Sequence, residues 1–157
     1  MKAMITYQQL KDLGTCARQL TQFHARFGDG PVAVTAENCT GFDLDWAAEH
    51  LLSPVGYAAY VVAVAPAEAV HAAIRDQAVV AYETAMCQAK ANFRLAQARI
   101  PAWVAYETAA MAPVWAAHNA ATAQAWGVYA AAINQAKAVY QSAQAAAFVE
   151  IYNRENP

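Results

Sequence analysis

The chain from Tyr57 to Ile151 repeats one pattern about every 11 residues: a bulky residue, two spacers, a second bulky residue and then mostly alanine. Because residues three apart lie on the same side of an α-helix, each bulky pair predicts one patch on a helical face. Eleven residues make three helical turns plus about 20°, so the patches form a stripe that drifts slowly around the helix. The pairs are Tyr57/Tyr60, Glu68/His71, Val79/Tyr82, Lys90/Phe93, Trp103/Tyr106, Trp115/His118, Trp126/Tyr129, Lys137/Tyr140 and Phe148/Ile151.

Two prolines stand where this repeat loses its regular spacing. The second residue of each pair advances by 11 residues up to Phe93, then by 13 and by 12, and returns to 11 after His118. On a straight helix, steps of 13 and 12 residues would rotate the stripe by about 220° and 120°. Proline costs about 3 kcal/mol inside a helix but is accepted in the first turn. We therefore predict that the helix breaks near Pro101 and Pro113.

These breaks divide the tract into three predicted helices. Two long helices are expected over residues 55–99 and 113–153, with a short helix over residues 101–111 between them. Pro66 keeps the 11-residue register, so we expect a kink there rather than a break. Alanine lets helices approach to about 8 Å, which favours an antiparallel helical hairpin or an oligomeric bundle of the coiled-coil type.

Residues 1–53 are predicted to form a small helical head in front of the Ala-rich repeat tract of residues 54–157. Thr6 and Thr15 precede apolar helical patterns, and they are the expected N-caps of the first two helices. Residues 32–34 are too short to predict a strand, and we expect an extended link there. The whole chain is therefore predicted to be all-α.

Formal charge is sparse in this chain. The net charge is −2 and the pI is about 6.0, which favours binding to neither nucleic acid nor an anionic membrane. Between Thr108 and Val149 only Lys137 carries a formal charge. A helix that faces water on all sides normally carries an ionic face. We therefore expect other protein surfaces to cover the second long helix, and we predict a homo-oligomer or a protein partner.

Cysteine usage and the start of the chain indicate the cytoplasm. Cys16, Cys39 and Cys87 are an odd number of thiols and no apolar leader precedes them, which favours free thiols in a reducing compartment. The charge-free run over residues 51–67 falls just short of the ~18 residues that a membrane span needs, and Pro54 interrupts it. We expect no membrane span.

The densest set of potential ligands lies in the head, between Asp43 and His50. Asp45 and Glu49 would share a helix face, but the cluster lacks a recognised metal-binding spacing or catalytic motif. The simpler interpretation is that Asp43 or Asp45 caps a third helix, because acidic side chains favour a helix N-terminus. An enzyme site around Cys16, Asp43, Asp45 and His50 is a separate hypothesis. We predict a protein without enzymatic activity, with no catalytic, cofactor-binding or metal-binding residues.

The basic residues of the first long helix support an alternative function. Three of them lie near the predicted end of that helix, where cations also suit the helix dipole, and Arg75 lies further back. A nucleic-acid groove would need more cations than this, so a nucleic-acid or membrane-surface binder is the alternative hypothesis. Its residues are Arg75, Lys90, Arg94 and Arg99.

The aromatic residues of the repeat either fill the space between helices or form a row of binding anchors. Core packing is the default for a stripe at helical spacing, whereas tryptophan and tyrosine dominate protein interfaces. The near absence of charge keeps the second interpretation open for part of the row. The candidate partner-binding residues are Trp103, Tyr106, Trp115, His118, Trp126, Tyr129 and Tyr140.

Several stretches of this chain follow a pattern seen in other proteins. They are residues 10–28 with Gly14-Thr-Cys16, residues 32–39, residues 43–52, Ala81-Tyr82-Glu83 and residues 101–107. Together they resemble a family of small uncharacterised proteins of proteobacteria and their phages, in which a similar head precedes tandem 11-residue Ala/Pro/Tyr/Glu repeats. The resemblance implies a phage or prophage setting and supplies no activity and no catalytic residues. This chain has fewer Glu and Arg per repeat, which implies a more buried tract.

We therefore predict a non-enzymatic protein–protein interaction protein that acts through its helical repeat surface. In a phage or prophage setting two roles fit this description. One is a virion or assembly component, and the other is an inhibitor of a host defence complex. The expected location is accordingly the host cytoplasm or the virion.

Overall fold

The computed structural model describes residues 3–101 and 108–157, with the side chains of 108–110 left out. These residues are mainly helical, which confirms the predicted all-α class, and they include one two-stranded sheet. The elements in chain order are β1 (Met4–Ile5), α1 (Tyr7–Asp12), α2 (Ala17–Phe27), β2 (Val32–Ala33), α3 (Ala36–Cys39), α4 (Leu44–Leu51), α5 (Pro54–Ala98) and α6 (Thr108–Glu155).

Side-chain caps start three of the short helices. The oxygen of Thr6 accepts a hydrogen bond from the Gln9 N–H at the start of α1, which confirms that predicted cap. The predicted cap at Thr15 is wrong, because α2 starts one residue later with Cys16 at its N-cap. The Thr15 N–H instead donates to the Leu10 carbonyl at 3.2 Å and closes the turn after α1. The side chains of Thr35 and Asp43 cap α3 and α4, as that of Thr6 caps α1.

The chain between α2 and α3 forms a strand where we expected an extended link. β2 pairs antiparallel with β1, with Met4 opposite Ala33 and Ile5 opposite Val32. Each strand has only two residues, too few to show the alternation of apolar and polar side chains that predicts a strand. The pairing continues one step further, because the Val34 N–H donates to the Ala3 carbonyl at 2.9 Å.

The two long helices differ from the prediction at one of the two prolines. α5 ends at Ala98 and Pro101 lies outside any helix, so the break near Pro101 is confirmed. The break at Pro113 is wrong, because Pro113 lies inside the continuous helix α6. A proline removes one backbone hydrogen bond of a helix, and here the helix continues on both sides of it. Most of the predicted short helix over residues 101–111 lies outside the described residues.

Proline is also accepted inside α5. Pro66 stands in the middle of the helix without ending it, in agreement with the expectation that the helix does not break there. The helix starts at Pro54 in its first position, which suits a residue without an N–H. Ser53 precedes it, and the Ser53 hydroxyl oxygen accepts a hydrogen bond from the Gly56 N–H at 3.0 Å. The Ser53 hydroxyl in turn donates to the Glu155 carboxylate near the end of α6.

The described chain divides into two compact units. The first consists of Met1–Ala69 with Ala138–Pro157, and the second consists of Val70–Lys137. The head therefore shares its unit with the beginning of α5 and the end of α6. The core of this first unit includes Phe148, Tyr152 and Tyr60, which are 1%, 3% and 2% exposed. The rings of Phe148 and Tyr152 are stacked at 5.5 Å between centroids.

Asn153 ties the last turns of α6 to both strands of the head. Its side-chain oxygen accepts a hydrogen bond from the Ala3 N–H at 2.8 Å. Its side-chain nitrogen donates to the Val34 carbonyl at 3.2 Å and to the Val149 carbonyl at 2.8 Å. The side-chain amide of Asn153 thus bonds main-chain groups next to β1 and β2, in the way that a neighbouring strand would.

Asp45 joins the head to both long helices within the first unit. One of its carboxylate oxygens accepts hydrogen bonds from the Tyr60 hydroxyl at 2.9 Å and from the Gln144 side-chain nitrogen at 2.8 Å. Both donors belong to buried residues. Burial and the hydrogen bond to Asp45 raise the pKa of Tyr60, so its hydroxyl stays protonated and able to donate.

We predict that Asp45→Ala lowers the free energy of unfolding more than Tyr60→Phe does. Asp45→Ala leaves two buried donors without their acceptor, and each such group costs about 1–3 kcal/mol. Tyr60→Phe removes one hydrogen bond together with its donor, which costs about 1 kcal/mol. Denaturant unfolding monitored by circular dichroism measures both values. Glu49→Ala, at an exposed position on α4, is the matched control, and an equal loss in all three variants would contradict the assigned role of Asp45.

Candidate interaction surface

Aromatic side chains form the contact between α5 and α6 within the unit Val70–Lys137. The Tyr82 ring lies 5.5 Å from the Tyr129 ring, and the Phe93 ring lies 5.2 Å from the His118 ring, between centroids. An 11-residue step forward on α5 therefore meets an 11-residue step backward on α6, so the helices are antiparallel here, as in the predicted hairpin. All four residues are the second members of their bulky pairs.

Buried alanines separate the aromatic contacts. Ala78 and Ala89 on α5 and Ala125 and Ala136 on α6 are at most 9% exposed, and the two members of each pair are 11 residues apart. Each alanine stands seven residues after the second member of a bulky pair. Two helical turns are about seven residues, so both positions face the partner helix. The repeat thus places one bulky and one small residue in the helix contact per 11 residues.

The first members of the bulky pairs remain at the surface of this unit. Trp115 and Trp126 are 51% and 57% exposed. The Trp115 ring also contacts the Phe93 ring at 4.6 Å, and the Trp126 ring contacts the Tyr82 ring at 6.0 Å. We call Trp115 and Trp126 the tryptophan row. With 1.5 Å per residue, its two members are about 16 Å apart along the helix.

A groove between α5 and α6 lies on the other side of the helix contact. At about 100° per residue, Trp126 lies about 60° to one side of Tyr129, whereas Val128 lies about 100° to the other side. Val128 lines the groove, and the described lining residues carry no formal charge. We call it the alanine groove. Its lining residues are Ile74, Gln77, Ala78, Ala81, Tyr82, Ala85, Gln88, Ala89, Asn92, Phe93 and Ala96 on α5, and Val114, Ala117, His118, Ala121, Gln124, Ala125, Val128, Tyr129 and Ala132 on α6.

The structure describes five of the seven predicted partner-binding residues and places them in three different environments. Trp103 and Tyr106 lie outside the described residues. Trp115 and Trp126 are exposed, whereas His118 and Tyr129 lie partly buried in the helix contact. Tyr140 belongs to the first unit, where it packs against the core and where burial raises its pKa. Their role in binding a partner stays a prediction.

Sequence reasoning missed the contacts that support the tryptophan row and the groove on the other side of the helix contact. Phe93 and Tyr82 contact the two tryptophans, and both were visible as the second members of their own pairs on α5. The alanine groove was not visible, because alanine gives no hydrophobic signal that distinguishes one face from another. The Nδ1 atom of His118 is buried there and has no hydrogen-bond partner among the described residues.

Two of the four residues of the alternative basic face, Arg75 and Lys90, have acidic neighbours. The guanidinium of Arg75 forms a salt bridge with Asp76 at 3.1 Å. At about 100° per residue, Glu83 lies within about 20° of Lys90 around the helix. Arg94 is exposed on the same helix, and Arg99 follows its end. The acidic neighbours weaken the positive field that binding to phosphates requires.

The acidic cluster of the head has structural partners in place. Asp43 caps α4, and Asp45 bonds Tyr60 and Gln144 as described above. The His50 ring stacks on Trp46 at 4.5 Å, and its Nδ1 lies 2.9 Å from the Trp46 carbonyl oxygen. Residues 3–101 and 108–157 contain no group of three or more His, Cys, Asp or Glu side chains that could hold a metal ion.

A small apolar cavity lies inside the head. It is lined mainly by residues of the short helices and of β2, together with Phe148 of α6. Thr15 is one of the lining residues, and its buried hydroxyl oxygen has no hydrogen-bond partner among the described residues. Cys39 lies beside it, and burial raises the pKa of its thiol to about 11.

Helix α5 also meets the length and composition of a membrane span. Only 11% of its most apolar 18-residue window is buried among the described residues. Length and composition alone are weak indications, because core helices of soluble proteins can satisfy the same criteria. The expected absence of a membrane span stays a prediction.

Comparison with known proteins does not identify this surface. Neither a protein-family model, nor a curated protein, nor a solved structure matches it significantly. The chemistry and exposure of the surface residues must therefore carry the functional interpretation.

We predict that Ala136→Leu destabilises the protein by about 1–3 kcal/mol, because the larger side chain overfills a helix contact in which Ala136 is 2% exposed. Thermal and denaturant unfolding measure the change. Ala131→Leu, at an exposed position of the same helix, should stay within about 0.5 kcal/mol of the unchanged protein. Equal effects of both substitutions would show that Ala136 does not lie in a close contact.

We predict that the native protein has two fast thiols and one slow thiol. Cys16 and Cys87 are exposed, whereas Cys39 is buried and its raised pKa keeps it in the unreactive thiol form at pH 8. Reaction with an aromatic disulfide reagent at pH 8, followed by absorbance, counts the fast groups. In the double variant Cys16→Ser and Cys87→Ser, rapid labelling should be lost until denaturant is added. Rapid labelling of that variant in its native state would contradict the burial of Cys39.

Proposed function

We propose that this chain is a non-enzymatic protein–protein interaction protein that acts through the helical surface of Val70–Lys137. The exposure of Trp115 and Trp126 on a nearly uncharged helix is the observation that supports this proposal most directly. Tryptophan is among the residues that contribute most to binding energy at protein interfaces. Removing its large apolar ring from water lowers the free energy of a complex, and its N–H fixes the orientation of the ring in the interface.

The support of the two rings also favours binding. Each tryptophan packs against an aromatic ring of α5: Trp115 contacts Phe93 and Trp126 contacts Tyr82. A side chain that is already held in place loses less conformational entropy when a partner binds. The tryptophan row is thus a preorganised pair of anchors rather than two freely moving side chains.

The resemblance to small proteins of proteobacteria and their phages supports a phage or prophage setting for this proposal. A virion or assembly component and an inhibitor of a host defence complex would both use a protein-binding surface of this kind. A virion component is present in purified particles at a fixed ratio to the capsid protein. An inhibitor is absent from particles and copurifies with a host complex from infected cells.

We predict that Trp115→Ala and Trp126→Ala each weaken binding to the partner by about 10- to 100-fold, as expected for loss of an interface anchor worth about 2 kcal/mol. The partner is identified by mass spectrometry after affinity purification, and titration calorimetry then measures its affinity for each variant. Val80→Ala removes an equally exposed apolar side chain of α5 and should leave the affinity unchanged. Unchanged affinity in a folded Trp115→Ala/Trp126→Ala variant would rule out the tryptophan row as the binding surface.

A further inference from the structure

We infer that the chain assembles with further copies of itself, with the tryptophan row of one copy inserted into the alanine groove of the next. This inference rests on the proposed function, because it names a second copy of the chain as one partner of the same helical surface. The row and the groove both belong to the unit Val70–Lys137. They lie on opposite sides of the contact between α5 and α6, so one copy cannot fill its own groove with its own tryptophans.

The distance between the two tryptophans matches the distance between two stretches of the groove. One stretch of the groove is lined by residues from Ile74 to Asn92 and from Ala121 to Ala132. The other stretch is lined by residues from Ala89 to Ala96 and from Val114 to Ala121. The midpoints of the two stretches are about nine residues apart on either helix, which is about 14 Å. The tryptophans are about 16 Å apart, so each ring meets its own stretch of the groove.

The groove also suits an indole ring chemically. Its floor consists of alanine and aromatic side chains, so an inserted ring meets apolar atoms and displaces water from apolar surface. Gln77, Gln88 and Asn92 stand among its lining residues, and the Gln88 side-chain nitrogen donates to the Asn92 side-chain oxygen at 2.9 Å. Amide oxygens are the acceptors that an indole N–H requires when it is buried.

Charge and size both favour a second copy as the occupant. The groove has no formal charge among its described lining residues, and α6 offers only Lys137 between Thr108 and Val149. A contact between the α6 face that carries the tryptophan row and this groove therefore buries no unpaired charge from either of those two surfaces, which would be costly. Two adjacent helices over about 20 residues present about 30 by 20 Å, or roughly 600 Å² per copy. Stable interfaces bury about 1,200–2,000 Å² in total from both partners, so a contact of about 600 Å² per copy lies at the lower end of that range.

The position of the two surfaces determines the kind of assembly. A contact between unlike surfaces leaves one free tryptophan row at one side and one free groove at the other. Each added copy therefore presents a new site for another, and the assembly does not stop at two chains. Only a ring or an external cap ends such growth.

Two double variants test the two surfaces of this contact one at a time. Trp115→Ala/Trp126→Ala removes the row and leaves the groove, whereas Ala85→Glu/Ala121→Glu places charge in the groove and leaves the row. Ala85 and Ala121 are exposed, so both substitutions are compatible with folding, which circular dichroism checks. Ala131→Glu adds a charge at an exposed position of α6 outside the groove lining and is the matched control.

Sedimentation velocity over a concentration series tests the inference. The average mass of the unchanged protein and of Ala131→Glu should rise with concentration beyond that of a dimer. Each double variant should associate at least tenfold more weakly, so that it stays monomeric over the same concentration range. An equimolar mixture of the two double variants should form a dimer and nothing larger, because one intact row and one intact groove remain in the mixture.

Other outcomes overturn the inference in distinguishable ways. Loss of association in the groove variant alone would indicate contacts between two grooves, and loss in the tryptophan variant alone would indicate contacts between two rows. A protein that stays monomeric at all concentrations has no such contact. If a monomeric protein still needs Trp115 and Trp126 to bind another partner, the proposed function stands and only the self-assembly is wrong.

Discussion

Close contact between α5 and α6 depends on an alternation of bulky and small residues that both helices share. Tyr82 and Phe93 meet Tyr129 and His118, and buried alanines fill the turns between them. Two helices with bulky residues at every contact position would be held apart, and two helices with alanine alone would bury little apolar surface. The 11-residue period keeps the bulky residues of one helix opposite those of the other along this unit.

The same alternation explains why the surface residues are available for binding. One bulky residue of each pair is used in the helix contact, and its partner three residues earlier is displaced by about 60° around the helix. Trp115 and Trp126 therefore pack against the helix contact but are not buried in it. The 11-residue spacing that stabilises the helix contact therefore also leaves exposed the surface that we propose for binding.

Local signals predicted the helices well, and long-range contacts accounted for most of what the sequence did not show. The cap at Thr6 and the end of α5 before Pro101 followed from local chemistry. Pro113 was misjudged because the rule for proline ignores the neighbouring helix, whose contacts with Trp115 and His118 hold the following turns in place. The bonds of Asn153 join groups far apart in the sequence, and no periodic pattern encodes them. The alanine groove was equally invisible, since it depends on which face of each helix the partner covers.

The bonds of Asn153 to the strands of the head have a consequence for the order in which the chain folds during translation. Ala3 is synthesised 150 residues before Asn153, whose side chain accepts its N–H. The unit Val70–Lys137 is a single continuous segment, so all of its residues are synthesised before residue 138. Loop closure over a long distance is slow compared with helix formation between neighbouring segments. The repeat unit can thus form while synthesis continues, and the head acquires its final packing only when the end of α6 emerges.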